Sequence, residues 1–158
     1  MLEDVILSEA EAEDFFVKYL QNKGYIVCLH CNRGDIPKTC ERCIFKDGGF
    51  RGKRHGIDIV ARKRDECIIM EIKGSNYKNQ ASFGVDFLTV LGQILLDMKY
   101  FDENIKYVIG IPYHKYYRTS LIRLLESKVL GRLGLHLMLI IKRDGKMDVL
   151  EVEERVLS

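Results

Sequence analysis

The sequence has little proline, no long apolar run and almost no net charge. Each of these shortages excludes some classes of protein. Only two of its 158 residues are proline and 47% are hydrophobic, which suits one buried core in a single domain over residues 1–158. No stretch approaches the roughly 18 consecutive apolar residues of a membrane helix, so no membrane partner is expected. No linker or internal repeat divides the chain, so all its elements should share that core.

The net charge of +2 identifies no partner, but the charge is unevenly distributed. Residues 1–14 contain six acidic and no basic residues, unlike a basic, apolar targeting segment, so the protein is expected to be cytoplasmic. Residues 51–64 contain six basic residues and one acidic residue. A basic stripe attracts phosphate and would make nucleic-acid binding sensitive to salt. The candidate phosphate contacts are Arg51, Lys53, Arg54, Arg62, Lys63 and Arg64.

Alternating helix and strand patterns predict an α/β fold in which a mixed sheet carries helices on its faces. Ser8 and Glu11 resemble a capping box at the start of a helix that Gly24 ends. The last two strands surround a hairpin turn at residues 143–146. The predicted strands cover residues 25–29, 57–61, 67–73, 107–111, 135–141 and 147–152, and the predicted helices cover residues 8–23, 82–101 and 115–130.

The hairpin of residues 57–73 is predicted to bring two carboxylates together. With Arg64 and Asp65 at its tip, residues facing each other have numbers that add to 129. One face then consists of the apolar pairs Ile57–Ile72, Ile59–Met70 and Ala61–Ile68. The other face pairs Asp58 with Glu71, with Cβ atoms about 4.5–5.5 Å apart, and the period of two adds Lys73. Two opposed carboxylates indicate a cation between them, the alternative being ordinary solvated charges.

These motifs resemble those of the PD-(D/E)xK superfamily of restriction-endonuclease-like nucleases. Gly-Ile-Asp-Ile-Val-Ala, which contains Asp58, is similar to the first acidic motif, and Glu71-Ile-Lys73 is similar to (D/E)xK. Glu13-Asp-Phe-Phe-Val-Lys is similar to the family's first helix, where a glutamate helps to bind metal. Leu-Gly-Gln93-Ile-Leu resembles the glutamine that many members place beside the catalytic lysine. The resemblance implies a restriction-endonuclease-like mixed sheet flanked by helices.

The resemblance also implies an activity, namely Mg²⁺- or Mn²⁺-dependent hydrolysis of phosphodiester bonds by an endonuclease of repair, recombination or restriction type. DNA is favoured over RNA as the partner. Asp58, Glu71 and the backbone carbonyl of Ile72 would hold the ion. A homodimer would allow both strands of a duplex to be cut together.

The remaining residues of the predicted site would support the reacting groups. Lys73 would orient the attacking water and offset charge on the phosphate, while Gln93 would hold Lys73 or that water. Glu13 would position the ion through water. The alternative from a different class is a catalytically inactive nucleic-acid-binding protein that retains the nuclease fold.

Four cysteines in the insert of residues 28–53 have the spacing of a metal site. They follow the pattern C-x2-C-x8-C-x2-C and are Cys28, Cys31, Cys40 and Cys43. This spacing suits a structural Zn²⁺ that would order a segment without a hydrophobic core of its own. Disulfides and an iron–sulfur cluster are the alternatives. Cys67, on a hairpin strand, is expected in the core.

We expect the purified protein to contain about one Zn²⁺ per chain. Cys40→Ser should lower both the zinc content and the thermal stability, because it removes one of the four thiolates that order the insert. Cys67→Ala is the control and should leave the zinc content unchanged. Elemental analysis and thermal melts measure both effects; a protein without zinc, or with iron and sulfide, contradicts the assignment.

Overall fold

The computed structural model describes residues 2–30, 57–77, 79–98 and 103–152, in which a six-stranded mixed sheet has helices packed on both faces. The predicted α/β architecture is therefore confirmed. A 3-10 helix, Lys115–Tyr117, immediately precedes the third α-helix. The elements are α1 Glu9–Asn22, β1 Ile26–His30, β2 Ile59–Lys63, β3 Glu66–Ile72, α2 Gln80–Asp97, β4 Ile105–Pro112, α3 Arg118–Glu126, α4 Val129–Leu133, β5 Leu135–Arg143 and β6 Lys146–Val152.

The strands lie in the sheet in the order of the chain. β1, β2 and β3 are antiparallel neighbours, β3, β4 and β5 are parallel, and β6 is antiparallel to β5. The parallel pairs need crossover connections, which α2 supplies between β3 and β4, and α3 with α4 between β4 and β5. Because β3 and β4 run in the same direction, the segments that follow Ile72 and Pro112 meet at one edge of the sheet.

Two apolar layers cover the two faces of the sheet. α1 packs Phe16 and Leu20 on one face, against a layer that includes Met70. The buried side chains of α2 belong to the layer on the opposite face and are Phe83, Phe87, Val90 and Ile94. The helical period of the sequence thus gives each helix one buried stripe, which holds it on the sheet.

One predicted face of the β2–β3 hairpin differs at its first residue. Ile59, Ala61, Ile68, Met70 and Ile72 lie in the layer beneath α1, as predicted. Ile57 is fully buried in the layer on the other face instead. The chain bends at residue 58, before β2 begins, so the strand alternation does not extend back to Ile57.

Three local sequence signals at element ends have the predicted structure. Ser8 Oγ accepts from Glu11 N at 3.2 Å and the Glu11 carboxylate accepts from Ser8 N at 2.7 Å, so the predicted capping box is present. Gly24 ends α1 with a φ of 87°. Asp144 and Gly145 have φ values of 49° and 75°, which a two-residue hairpin turn of this kind requires.

The single helix predicted over residues 115–130 is wrong. The chain forms the 3-10 helix, α3 and then α4, and Lys128 between the last two has a left-handed φ of 56°. Ser127 Oγ donates to Leu124 O at 2.6 Å, a side-chain bond that competes with continuation of the helix.

The predicted zinc insert falls largely outside the described residues. Of its cysteines only the backbone of Cys28 is described, within β1. Outside the description lie Cys31, Cys40, Cys43, Arg51, Lys53 and Arg54. Cys67 is buried in the core, as predicted. In the described ranges, no helix is long and apolar enough to cross a membrane.

We expect Gly110→Ala to lower the free energy of unfolding by about 1–3 kcal/mol through overpacking. Gly110 lies in β4 beneath α1, where a Cβ would approach a Phe16 ring carbon to 2.8 Å and Met70 Sδ to 3.1 Å. Gly92→Ala in α2 is the matched control, because a Cβ there meets no atom within 4 Å and alanine favours helix. Urea denaturation should show opposite changes; equal effects would contradict this packing of α1.

Candidate active site

The β2–β3 hairpin has the predicted register. Ile59 pairs with Met70 and Ala61 with Ile68. Asp58 immediately precedes β2, and Glu71 is the penultimate residue of β3. Asp58 is 8% exposed and Glu71 is 4% exposed, so neither is an ordinary solvated charge on a strand face. The hairpin therefore carries two carboxyl groups into the protein at one of its ends.

The two carboxyl groups are held by hydrogen bonds to each other and to the backbone. Asp58 Oδ2 accepts from Ile72 N at 2.7 Å, a bond that fixes this carboxylate beside the end of β3. The Asp58 and Glu71 side chains are hydrogen-bonded to each other. A bond between two carboxyl groups requires a proton on one of them, so this contact favours the protonated form of Glu71 and raises its pKa.

Burial is the main cause of the altered acidity of this pair. It raises the pKa of Glu71, and this pKa is raised further by a hydrogen bond that the protonated Glu71 carboxyl group donates to Asp97 and by the charge of Asp58. Burial also raises the pKa of Asp58, although the hydrogen bond from Ile72 N acts in the opposite direction. Removing water thus favours the protonated forms, and a bound cation would favour the ionised forms in their place.

Asp97 is a site residue that the sequence motifs do not identify. It is the last residue of α2, its side chain is hydrogen-bonded to Glu71, and its Oδ2 is buried without a hydrogen-bond partner among the described residues. A signal was available, because Asp97 continues the buried stripe of α2 that includes Val90 and Ile94. Gln93, one turn earlier, lies on the exposed side of α2, and its supporting role stays a prediction.

Lys73 follows β3 at the same edge of the sheet and makes an ion pair with α1. Its Nζ lies 3.2 Å from Glu9 Oε2, and its side chain is 14% exposed. After burial, the charge of Glu9 is among the influences that raise the pKa of Asp58. Glu13, one turn after Glu9, is 3% exposed, so its predicted position against the core is confirmed while its metal role stays a prediction.

The basic residues of the hairpin tip lie away from the carboxyl pair. Arg62 is half-buried, Lys63 and Arg64 are exposed, and Lys63 Nζ donates to Lys23 O at 2.6 Å. Glu71 is six residues along β3 from the tip, which corresponds to about 20 Å of strand. If these residues contact phosphates, they contact them several nucleotides from the carboxyl groups.

The carboxyl pair suits a hard divalent cation. In the part of the chain that the structure describes, no group of three or more His, Cys, Asp or Glu side chains is arranged to hold a metal ion. Mg²⁺ commonly uses only one or two protein carboxylates and completes its coordination with waters and substrate phosphate. Two carboxylates are therefore enough in number to bind Mg²⁺ or Mn²⁺, and the assignment of Asp58, Glu71 and the Ile72 carbonyl as its ligands stays a prediction.

Comparisons with protein-family models, with curated proteins and with solved structures found no match for this chain. The functional hypothesis consequently depends on the residues themselves, above all on the geometry around Asp58 and Glu71.

We expect the stability of the cation-free protein to fall as the pH rises above 4.5, the ordinary pKa of Glu71. Because folding raises this pKa, the folded state binds more protons than the unfolded state above that pH, so each further rise favours unfolding. Glu71→Gln should flatten the dependence, whereas Glu126→Gln, which alters an exposed carboxylate on α3, should not. Thermal midpoints in EDTA from about pH 5 to about pH 9 measure this; parallel profiles for all three proteins contradict it.

Proposed function

We propose that this protein is a Mg²⁺-dependent nuclease with a restriction-endonuclease-like fold that hydrolyses phosphodiester bonds in DNA. The observation that carries the proposal is the buried Asp58–Glu71 pair with Lys73 beside it at the end of one hairpin. An antiparallel hairpin that continues through parallel strands supports the fold. DNA is proposed because the motifs resemble those of DNA-cleaving nucleases.

Asp58 and Glu71 would hold the cation, and their existing contacts prepare them for it. Ile72 N fixes one oxygen of Asp58, at 2.7 Å, and Asp97 restrains the Glu71 carboxyl group through a hydrogen bond. When bound, Mg²⁺ supplies Lewis-acid polarisation of the scissile phosphate and a more acidic water. Both carboxyl groups would hold the ion in their ionised form, so ion binding would be coupled to proton release.

Lys73 would stabilise the negative charge that develops on the phosphate. A charged group contributes most when it is held in place before the reaction begins. Glu9 provides this restraint through the ion pair at 3.2 Å, and the Lys73 side chain, at 14% exposure, is largely shielded from water. Glu13, buried on the next turn of α1, would act at the edge of the same site.

In the proposed nuclease, the insert of residues 28–53 would be a zinc module that precedes β2 in the chain. Its basic end contains Arg51, Lys53 and Arg54, the last of which is four residues before Asp58. These side chains would contact phosphates close to the reacting bond. The hairpin-tip residues Arg62 and Arg64 would then contact the substrate farther along.

An inactive nucleic-acid-binding protein is the second candidate. The supporting observation is that Lys73 is already paired with Glu9 and Asp58 with Ile72 N, as in a purely structural network. A structural role does not require Mg²⁺, whereas hydrolysis does. Cleavage therefore separates the two functions.

We expect Lys73→Ala to lower the single-turnover rate of DNA cleavage about 10²- to 10³-fold while Mg²⁺ binding is retained, because it removes a preorganised charge. Asp58→Asn keeps an acceptor for Ile72 N but should abolish Mg²⁺ binding and cleavage together. Lys18→Ala, on the exposed side of α1, is the matched control and should cleave at close to the wild-type rate.

Linear, flap, junction and single-stranded DNA are tested with Mg²⁺, Mn²⁺ or EDTA, and isothermal titration measures Mg²⁺ binding. Wild-type cleavage rates in Lys73→Ala or Asp58→Asn would exclude this site. Mg²⁺-independent binding without cleavage of any substrate would favour the inactive nucleic-acid-binding protein.

A further inference from the structure

A cleft lies between α3 and β5 and is not used by the proposed reaction. Its volume is about 600 Å³, within the range of about 300–1,000 Å³ that is usual for small-molecule sites. Leu121 and Ile122 of α3 and Leu139 of β5 line it, and Leu2 of the N-terminal segment contributes a further apolar wall. The cleft therefore suits a ligand with an apolar body.

The remaining lining residues are aromatic or charged. Tyr113, directly after β4, contributes a ring, and Lys115 and Arg118 contribute two exposed cations. Asp4 also lines the cleft, but its Oδ1 already accepts from Lys115 N at 2.7 Å. Two cations against one acid leave a net charge of +1. A flat ligand that carries an anionic group fits this combination.

The cleft lies close to the carboxyl pair and on the same face of the sheet. The strand registers align Glu71 with Ile109 and Ile109 with Leu137. Leu139 is two residues farther along β5 and belongs to the apolar layer on the α2 side. Two strand spacings across and two residues along place the Glu71 and Leu139 Cα atoms about 12 Å apart.

A buried tyrosine connects the cleft to the segment that follows Lys73. Tyr117 belongs to the 3-10 helix that precedes α3, is fully buried, and donates from its hydroxyl to Gly74 O at 2.6 Å. The hydroxyl group of Tyr117 thus connects the start of α3, which lines the cleft, to the residue after Lys73. A base between Leu121 and Leu139 could not remain paired in a duplex, because its partner strand would need space that α3 or β5 occupies.

We propose that the cleft binds one unpaired nucleotide of a single-stranded DNA segment. The base would lie on the apolar floor against Tyr113, and its phosphate would contact Lys115 and Arg118. This inference rests on the proposed nuclease function and narrows its substrate class to DNA that has unpaired nucleotides within a few positions of the cleaved bond.

The test measures DNA binding by fluorescence anisotropy in EDTA, so that no cleavage occurs. The probe is a duplex with a single-stranded tail in which an abasic site replaces one nucleotide at a time. We expect one tail position at which loss of the base weakens binding about tenfold, because stacking and burial of that base are lost. Other positions should show little change.

Three variants connect that position to the cleft. Ile122→Phe fills the cleft without changing charge and should remove the dependence on the base at that position. Arg118→Glu should weaken binding of the intact tail. Arg123→Glu makes the same charge change elsewhere on the exposed surface of α3 and should leave the position dependence intact.

The outcomes distinguish this inference from the proposed function. If no tail position is sensitive, or if Ile122→Phe behaves as the wild type, the cleft does not bind a nucleotide, even where Mg²⁺-dependent cleavage is present. If one position is sensitive and Ile122→Phe removes that sensitivity, the cleft binds a nucleotide even where no cleavage occurs, and only the nuclease proposal fails. Absence of DNA binding overturns the inference.

Discussion

The rest of the site depends on the burial of two carboxyl groups at the end of the β2–β3 hairpin. Burial destabilises their ionised forms, and the neighbouring groups compensate for part of this effect. A carboxyl group that is removed from water is stable only if it is protonated, accepts hydrogen bonds or binds a cation. Ile72 N supplies one donor to Asp58, while Glu71 lies between Asp58 and Asp97, which are themselves acids. The arrangement is therefore incomplete without protons or a cation, unlike an ordinary buried ion pair.

The N-terminal segment fixes α1 next to the end of the β2–β3 hairpin, where the two carboxyl groups are buried. Ser75 N donates to Leu7 O at 2.7 Å and Leu7 N donates to Ser75 Oγ at 3.0 Å. A Cβ on Gly74 would approach Glu9 N to 2.6 Å and Leu7 O to 2.7 Å, so only glycine allows the two backbones to pass so closely. This approach fixes the start of α1, and with it the position of Glu9 against Lys73.

Local rules predicted the hairpin but not its neighbours. The register follows from the period of two and a two-residue turn, so the pairing of Ile59 with Met70 could be calculated from the sequence. The contact of Asp97 with Glu71 depends on where α2 crosses the sheet, and that position is set by packing between distant residues. Glu9 was missed for the same reason, since several acids share the first turns of α1 and only tertiary structure selects one.

Local irregularities of the backbone could also not be predicted from the sequence patterns. Ile57 changes face because of a bend at one residue, and Lys128 interrupts a helical pattern with a left-handed conformation that its side chain does not favour. Periodic patterns describe the interior of an element well. They carry no information about a single residue whose conformation is imposed by its surroundings.

In the proposed nuclease, the ion pair between Glu9 and Lys73 would determine how a phosphate enters the site. Glu9 is 47% exposed, so the pair loses much of its strength to solvent, and pairs of this kind contribute about 1 kcal/mol or less. A phosphate can therefore replace Glu9 at the Lys73 ammonium with little loss. The two buried carboxylates present a greater barrier, because in their ionised form they repel the same phosphate at short range. In the proposed nuclease, neutralisation of Asp58 and Glu71 would therefore have to precede or accompany substrate binding, and the buried pair would control access to Lys73.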